Sequence, residues 1–335
     1  MANLTAKIGI ITCLFAILLS CQKRENRSID FYYWKSHVSF TDLEKEYFNN
    51  LQAKKLYIRL FDVDITAGMN PGPIGAIDQF NGGELTCEYI PTVFITNRTF
   101  EKLSLENLKL LAENVYRRIE STLSSCEIKN YNEIQIDCDW TNGTRSNYFR
   151  FLDELKTVSG KKISCTLRLH QIKFREKAGI PPADKGYLMC YATSSPKEDD
   201  GRNSILDIEL LKNYLSGAET YPMDFDIALP LYSWAIVRNH LGKIKLINGV
   251  TAEILQNDKR FEQITDLRFK IAEDIYFGGM YLNKDFIIDI ENITPDLLKT
   301  ARNVTDKKLK NKNFGIVYFH LDSIFLKHFT IKELQ

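Results

Sequence analysis

Two carboxylates stand one residue apart in Glu133-Ile134-Gln135-Ile136-Asp137-Cys138-Asp139-Trp140-Thr141, a run that is otherwise largely apolar. Side chains alternate across a β-strand, so a strand over 133–141 presents Asp137 and Asp139 on one face, roughly 6.5 Å apart along the chain. Two acids on such a strand are costly unless they are paired, hydrogen-bonded or used in chemistry, which makes both catalytic candidates. The same two-residue rule puts Arg168 and His170 on one face of Lys162–Gln171. Arg168 suits either a hydroxyl-rich ligand or the plainer task of neutralising Asp137 or Asp139.

Further candidates sit at the ends of other β-type runs: Trp34, Asp62, Asp64, Trp140, Tyr191, Tyr232, Trp234 and Asp322. All three tryptophans of the chain are among them. Rings that stack on pyranose faces, set among acids, Arg and His that bond hydroxyls, are what an oligosaccharide or glycan site requires. Each ring taken singly reads better as packing beneath a loop, and only the set as a whole favours a cleft. Glycoside hydrolysis needs two carboxyls about 5–9 Å apart across the bond. Asp139 with Asp62, Asp64, Asp226 or Asp322 is a candidate pair. No G-x-S-x-G, H-E-x-x-H, phosphate loop or dinucleotide glycine fingerprint occurs, so neither a cofactor nor a metal is expected.

Short β-type runs alternate with helical patterns, the signature of βα units and a parallel sheet. The strands are expected at Phe31–Phe40, Lys55–Ile65, Tyr89–Asn97, Glu133–Thr141, Lys162–Gln171, Gly186–Ala192, Asp224–Trp234 and Phe314–Asp322. Helical periodicity is clear over Thr41–Leu51, Ser104–Leu123, Ser146–Val158 and Ile205–Leu215, with Ser104 as an N-cap. This is α/β, a single (β/α)8 TIM barrel, whose functional residues belong at the C-terminal ends of the strands. Two insertions are expected, after strands two and seven. Thr66–Glu84 is rich in Gly, Pro and Asn, and Ala235–Lys312 is too long for one crossover, reading as helices plus a small hairpin near Lys243–Gly249.

The strand-four run resembles the D-G-x-D-x-D-x-E signature of family 18 glycoside hydrolases, the chitinase-like barrels. Asp137 and Asp139 fall on its second and third acids, Ile134 on its first, and Thr141 where that family keeps its catalytic glutamate. Leu188-Met189-Cys190-Tyr191 is similar to the family's strand-six M-x-Y segment, and Gly315–Asp322 to its last strand. The chain also resembles a set of uncharacterised bacterial barrel lipoproteins, in which an I-D-x-D strand precedes R-x-x-Y-x-x-F-L, here Arg145, Tyr148, Phe151 and Leu152. The resemblance implies a glycosidase-like barrel that binds and is able in principle to hydrolyse a glycan. It also implies that the usual acid is missing, since Thr141 has no acidic proton near neutral pH. Barrels of this kind without the glutamate often act as lectin-like binders, so hydrolysis, silent glycan binding and an envelope scaffold all stand as readings.

The 335 residues are 44% hydrophobic and 26% charged, with 44 basic and 43 acidic side chains. A net charge of +1 gives no basic excess for nucleic acid, and none is expected as a partner. Mean hydropathy is −0.24. Lys7, the apolar run Ile8–Leu19 and then Leu18-Leu19-Ser20-Cys21 read as a signal peptide ending in a bacterial lipobox. The run is too short to span about 30 Å of hydrocarbon. Residues 1–20 are thus expected to be removed, and 21–30 to form a lipidated tether. The barrel would occupy 31–335, anchored to a membrane of the bacterial cell envelope through lipid on Cys21 and facing the periplasm or exterior. Cys87, Cys126, Cys138, Cys165 and Cys190 remain, an odd number without a C-x-x-C pair. The last three read as small buried hydrophobes, with one unassigned disulfide left open.

Overall fold

In a computed structural model, residues 27–66, 70–81, 83, 85–198 and 201–335 are described. The expected signal segment and Cys21 lie outside them. Eight parallel strands close into a barrel: β1 (Ile29–Tyr33), β2 (Lys55–Ile65), β3 (Glu88–Ile95), β4 (Glu133–Asp137), β5 (Lys162–Arg168), β6 (Lys185–Met189), β7 (Phe225–Pro230) and β8 (Ile316–Phe319). Each pairs with the next, and β1 pairs with both β8 and β2, which completes the circle. Closure leaves no edge to be capped.

The strands are shorter than the sequence suggested. β1 begins at Ile29, inside the expected tether, and stops at Tyr33. β4 stops at Asp137, β5 at Arg168 and β7 at Pro230. Trp34, Asp139, Trp140, His170, Tyr191, Tyr232 and Asp322 therefore lie beyond their barrel strands, where strict alternation no longer applies, whereas Lys55–Ile65 keeps its expected bounds with Asp62 and Asp64 inside it.

The barrel's lower layer is polar and satisfied. The Tyr57 and Tyr187 hydroxyls lie 2.6 Å apart, and Glu133 accepts from Ser164 at 2.6 Å and Tyr187 at 3.1 Å. Lys55 stands 3.3 Å from the same carboxylate. A buried acid supplied with this many donors avoids most of its desolvation penalty.

The outer helices follow their caps and stripes. In α1 (Asp42–Asn50), Thr41 and Glu44 form a capping box. In α2 (Leu105–Ser125), Ser104 caps as its type predicts, accepting from Asn107 N at 3.2 Å. In α3 (Arg145–Ser159), Tyr148, Phe151, Leu152 and Leu155 form one fully buried stripe, and Gly160 ends the helix with φ 63°. Three members of the R-x-x-Y-x-x-F-L motif are thus the face that packs on the barrel. Its arginine, Arg145, donates to Lys177 O at 2.9 Å.

Both insertions are present, and the second holds more than expected. The helices (Ala252–Gln256 and Pro295–Lys308) and the hairpin near Lys243–Gly249 are there, but the hairpin belongs to a five-stranded antiparallel sheet in the order Ile244–Asn248, Trp234–Arg238, Ile287–Glu291, Arg268–Ile271, Phe261–Thr265. Alternating Ala235, Val237, Phe269, Ile271, Ile288 and Ile290 give it a hydrophobic core of its own. A helix over Pro295–Lys308 then leads back to β8. After β2, Pro71–Ile74 folds back antiparallel on Asp62–Ile65. Among the described residues no helix is long and apolar enough to cross a membrane. The five described cysteines are free thiols, and Cys138, Cys165 and Cys190 are buried.

Candidate functional site at the barrel mouth

Asp137 is the last residue of β4 and points into the barrel. Its carboxyl is 7% exposed and accepts from Thr166 Oγ1 on β5 at 2.7 Å. Burial pushes its pKa up to about 7, and nearby Asp139 pushes the same way, while Thr166 and Arg168 oppose the rise. Asp139 sits two residues on, past the strand, with its side chain 54% exposed and its Oδ1 3.3 Å from Arg168 Nε. The expected acid pair therefore exists, split into a buried neutral-leaning member and a solvated ionic one. Arg168 bridges Asp139, as the plainer reading of that residue had it, and its Nη1 rests 3.6 Å from Met189 Sδ.

His170 is not on the strand face expected for it. The chain turns at Arg168 into a short helix, α4 (Leu169–Lys173), where Gln171 accepts from Arg168 N at 2.7 Å. His170 lies exposed on that helix, beside the Asp139–Arg168 pair. Partial burial and the Arg168 charge depress its pKa, against the pull of Asp139.

Two strands away on β2, Asp62 is held by Arg59, whose Nε donates to Oδ1 at 2.6 Å and whose Nη2 bonds Oδ2. The Arg59 guanidinium also lies over the Trp34 ring at 6.0 Å. Gly75 passes this pair with φ 54°, and a Cβ there would fall 3.1 Å from Arg59 Nη2, so the loop after β2 needs glycine to come so close. The charge of Asp62 is felt at Asp137. It belongs to the site.

The floor is aromatic and centred on Phe319, the last residue of β8. Trp34 and Tyr191 lie 5.5 Å from its ring centroid, and Tyr32 and Tyr232 5.8 Å. Tyr232 continues to Trp234 at 5.4 Å. Trp234 Nε1 donates to Glu291 Oε2 at 2.7 Å, and the Ser204 hydroxyl donates to the same oxygen at 2.6 Å. Trp234 is therefore part of the insertion sheet, and it extends the aromatic row from the barrel on to that second body.

Three expected ligand contacts are corrected. Trp140 is 1% exposed, stacked on Tyr148 at 5.0 Å, with Nε1 donating to Ala178 O at 3.0 Å. It packs between barrel and α3 and offers no face to a sugar. Asp64 is gripped by Arg98, with Nε 2.6 Å from Oδ1, and by Thr96 at 2.7 Å, which holds its carboxyl far below the usual range. Asp322 caps the helix Ser323–Leu326, accepting from Ile324 N at 3.0 Å, and pairs with Lys35 at 3.2 Å. Both acids are committed to local structure.

Thr141 is exposed, and its backbone N–H donates to Thr144 Oγ1 at 3.0 Å. Thr144 in turn donates to Asn97 at 2.5 Å. The position holds a turn and supplies no acid. The residues missed in sequence are Phe319, Arg59, Ser204 and Glu291. Phe319 lies inside an apolar strand that gave no separate signal, and Ser204 and Glu291 are brought in from 87 positions apart.

No family model matches the sequence, and no curated protein matches it. Among solved structures, the spore cortex-lytic enzyme SleL of Bacillus cereus superposes with a TM-score of 0.54 at 15% identity, over 92% of this chain and 73% of that one. A chitinase from Chromobacterium violaceum gives 0.54 at 12% identity, over 92% and 98%. The C-terminal domain of a putative chitinase from Desulfitobacterium hafniense gives 0.55 at 11%, again over 92% and 98%. With eight parallel strands closed in the same way, this chain has the fold of the chitinase-like TIM barrels.

Proposed function

We propose that the barrel mouth binds a glycan, and that the protein is a cell-envelope lipoprotein carrying this site on a lipid anchor at Cys21. The observation that carries the first part is the continuous aromatic row Trp34–Phe319–Tyr232–Trp234 beside the Asp139–Arg168 and Arg59–Asp62 pairs. Ring faces take the C–H side of a pyranose, and flanking ionic pairs take its hydroxyls. Neighbours described as chitinases and as a spore cortex-lytic enzyme support the same reading. Binding is favoured over chitinase-like turnover because Thr141, where the resemblance puts the catalytic acid, has no proton to deliver near neutral pH.

A second reading, hydrolysis by a relocated acid, is favoured by one observation: burial raises the pKa of Asp137 to about 7, so that a substantial fraction of this carboxyl keeps its proton near neutral pH. The two are separated by calorimetry and product analysis with chitooligosaccharides and peptidoglycan fragments. Trp34→Ala and Trp234→Ala should each weaken binding by at least about tenfold, the value of one stacked ring. Unchanged affinity in both, with the fold intact, would remove the mouth as the site. Release of shortened sugar that disappears in Asp137→Asn would establish turnover.

The anchor rests on Leu18-Leu19-Ser20-Cys21 after a short apolar run. Cys21→Ser should free the protein from membranes or leave an uncleaved precursor. A mature N-terminus elsewhere than residue 21, in a chain that fractionates unchanged, refutes it.

A further inference from the structure

At the end of the barrel opposite the mouth, where the strands begin, lies an open cavity of about 1480 Å³. A second one of about 700 Å³ adjoins it, sharing Arg27, Lys185, Asp226 and Lys310. Seven basic side chains line the larger cavity against three acidic ones, in a chain whose net charge is only +1. Each of the three acids is already occupied. Asp306 is bound by Arg27 at 3.0 Å, and Asp226 by Lys185 at 2.6 Å. Asp30 accepts the backbone N–H groups of Lys54 and Lys55 at 2.9 and 2.8 Å. Lys55 is itself committed to Glu133. Lys54, Lys307 and Lys310 remain, all exposed and without an ion pair among the described residues. The underside of the barrel thus presents positive charge that nothing in the fold neutralises.

We infer that this underside docks on anionic lipid headgroups and holds the barrel upright with its mouth turned away from the bilayer. The placement of the chain supports a lipid surface over a free phosphate. Arg27 is the first described residue and lines the cavity. It lies six positions beyond Cys21, and at no more than about 3.6 Å per step this keeps the underside within roughly 20 Å of the expected anchor. The cavity is also broad, and its two arginines are engaged: Arg27 with Asp306 and Phe314 O, Arg302 with Glu333 O. What is left are lysines, point charges on flexible stems that suit a diffuse anionic surface better than a fitted phosphate cradle. The lipid on Cys21 would hold the protein at the membrane, and the basic patch would orient the barrel on it. This inference rests on the Cys21 reading for its distance argument, though the charge distribution stands without it.

The test uses the full chain incubated with vesicles of phosphatidylglycerol and phosphatidylethanolamine, or of phosphatidylcholine alone. Reactivity of Lys54, Lys307 and Lys310 toward an amine reagent is followed by mass spectrometry, with exposed Lys243 on the insertion sheet as reference. The three lysines should label about tenfold more slowly on the anionic vesicles, as strong surface attraction per lysine requires. The effect should vanish at high salt, where the screening length shrinks. Lys243 should not change. Equal labelling on both vesicles overturns the docking, and so does equal protection by inorganic phosphate without vesicles. Retention on phosphatidylcholine in high salt reports the anchor by itself. A failed anchor is thereby distinguished from a failed docking surface, which the labelling reads in either case. The Lys54→Gln, Lys307→Gln, Lys310→Gln triple variant, altered only at exposed positions, should lose the difference in Lys55 and Lys185 protection between the two vesicles. If that difference persists unchanged in the variant, the three lysines are not the docking groups.

Discussion

Replacing Asp137 by Asn gives the most direct access to the electrostatics of the mouth. The carboxyl has a pKa of about 7 in the folded chain against an ordinary 3.8, chiefly because burial disfavours its charge. Between those values the folded state keeps a proton that the unfolded chain releases. Stability is therefore full below about pH 4 and declines as pH rises toward 7, by about 1.4 kcal/mol per unit, and then levels off. Integrated over the window, this is on the order of 4 kcal/mol of destabilisation at neutral pH, of which pH 5 to 8 samples about 3. Asn is nearly isosteric, and its Oδ1 still accepts from Thr166, so the variant keeps the hydrogen bond and loses the titration. Urea unfolding of the two chains at pH 5, 6, 7 and 8 should show Asp137→Asn gaining on the wild type up to pH 7 and running parallel beyond it. Curves that stay parallel across the whole range would refute the raised pKa, and with it the idea that Asp137 carries a proton at neutral pH.

Trp140→Ala should cost about 3–5 kcal/mol, since it empties a packed site between barrel and α3, whereas Trp140→Phe should retain glycan affinity in calorimetry. Loss of affinity in a stable, folded Trp140→Phe would mean that the buried ring does reach the ligand. Arg168→Met should lower stability by only about 1 kcal/mol, because its partner Asp139 is half solvated. It should also extend the pH-dependent decline to higher pH by removing a charge that favours ionised Asp137. An unshifted pH profile in Arg168→Met would show that the guanidinium does not act on that carboxyl.

The alternation of β runs and helical stripes made the barrel legible, because closed parallel sheets impose both periods strongly. Ser104 and the Tyr148–Phe151–Leu152 stripe were legible for the same local reasons. Strand ends were harder. Asp139, Trp140 and His170 continue the apolar pattern of their strands, yet the backbone turns before each of them, so a two-residue rule assigned faces that do not exist. Trp140 also shows why aromatic residues mislead: indole is wanted equally by a sugar and by a core, and only burial decides. Asp64 and Asp322 looked like ligand groups because their partners, Arg98 and the cap of a four-residue helix, are set by chain geometry. Most of the insertion sheet escaped because its strands are only four or five residues long and broken by turns. The acid–arginine side of the site was visible in sequence, whereas its aromatic hub Phe319 and the Ser204–Glu291 wall depended on tertiary folding.

The strands through which the chain leaves and re-enters the barrel region lie side by side, with Trp234 opposite Glu291 in register. The whole five-stranded insertion therefore hangs from a single closed neck, and its removal would require only a short bridge between two neighbouring backbone positions. Loop closure over so small a gap carries little entropic penalty, so the barrel should tolerate an exchange of this part for another of similar footing. The neck is also where Trp234 and Glu291 meet. A swap at that point would replace one wall of the cleft while leaving Trp34, Phe319 and the Asp137 region in place, giving the scaffold a means of changing which ligands fit without rebuilding its floor.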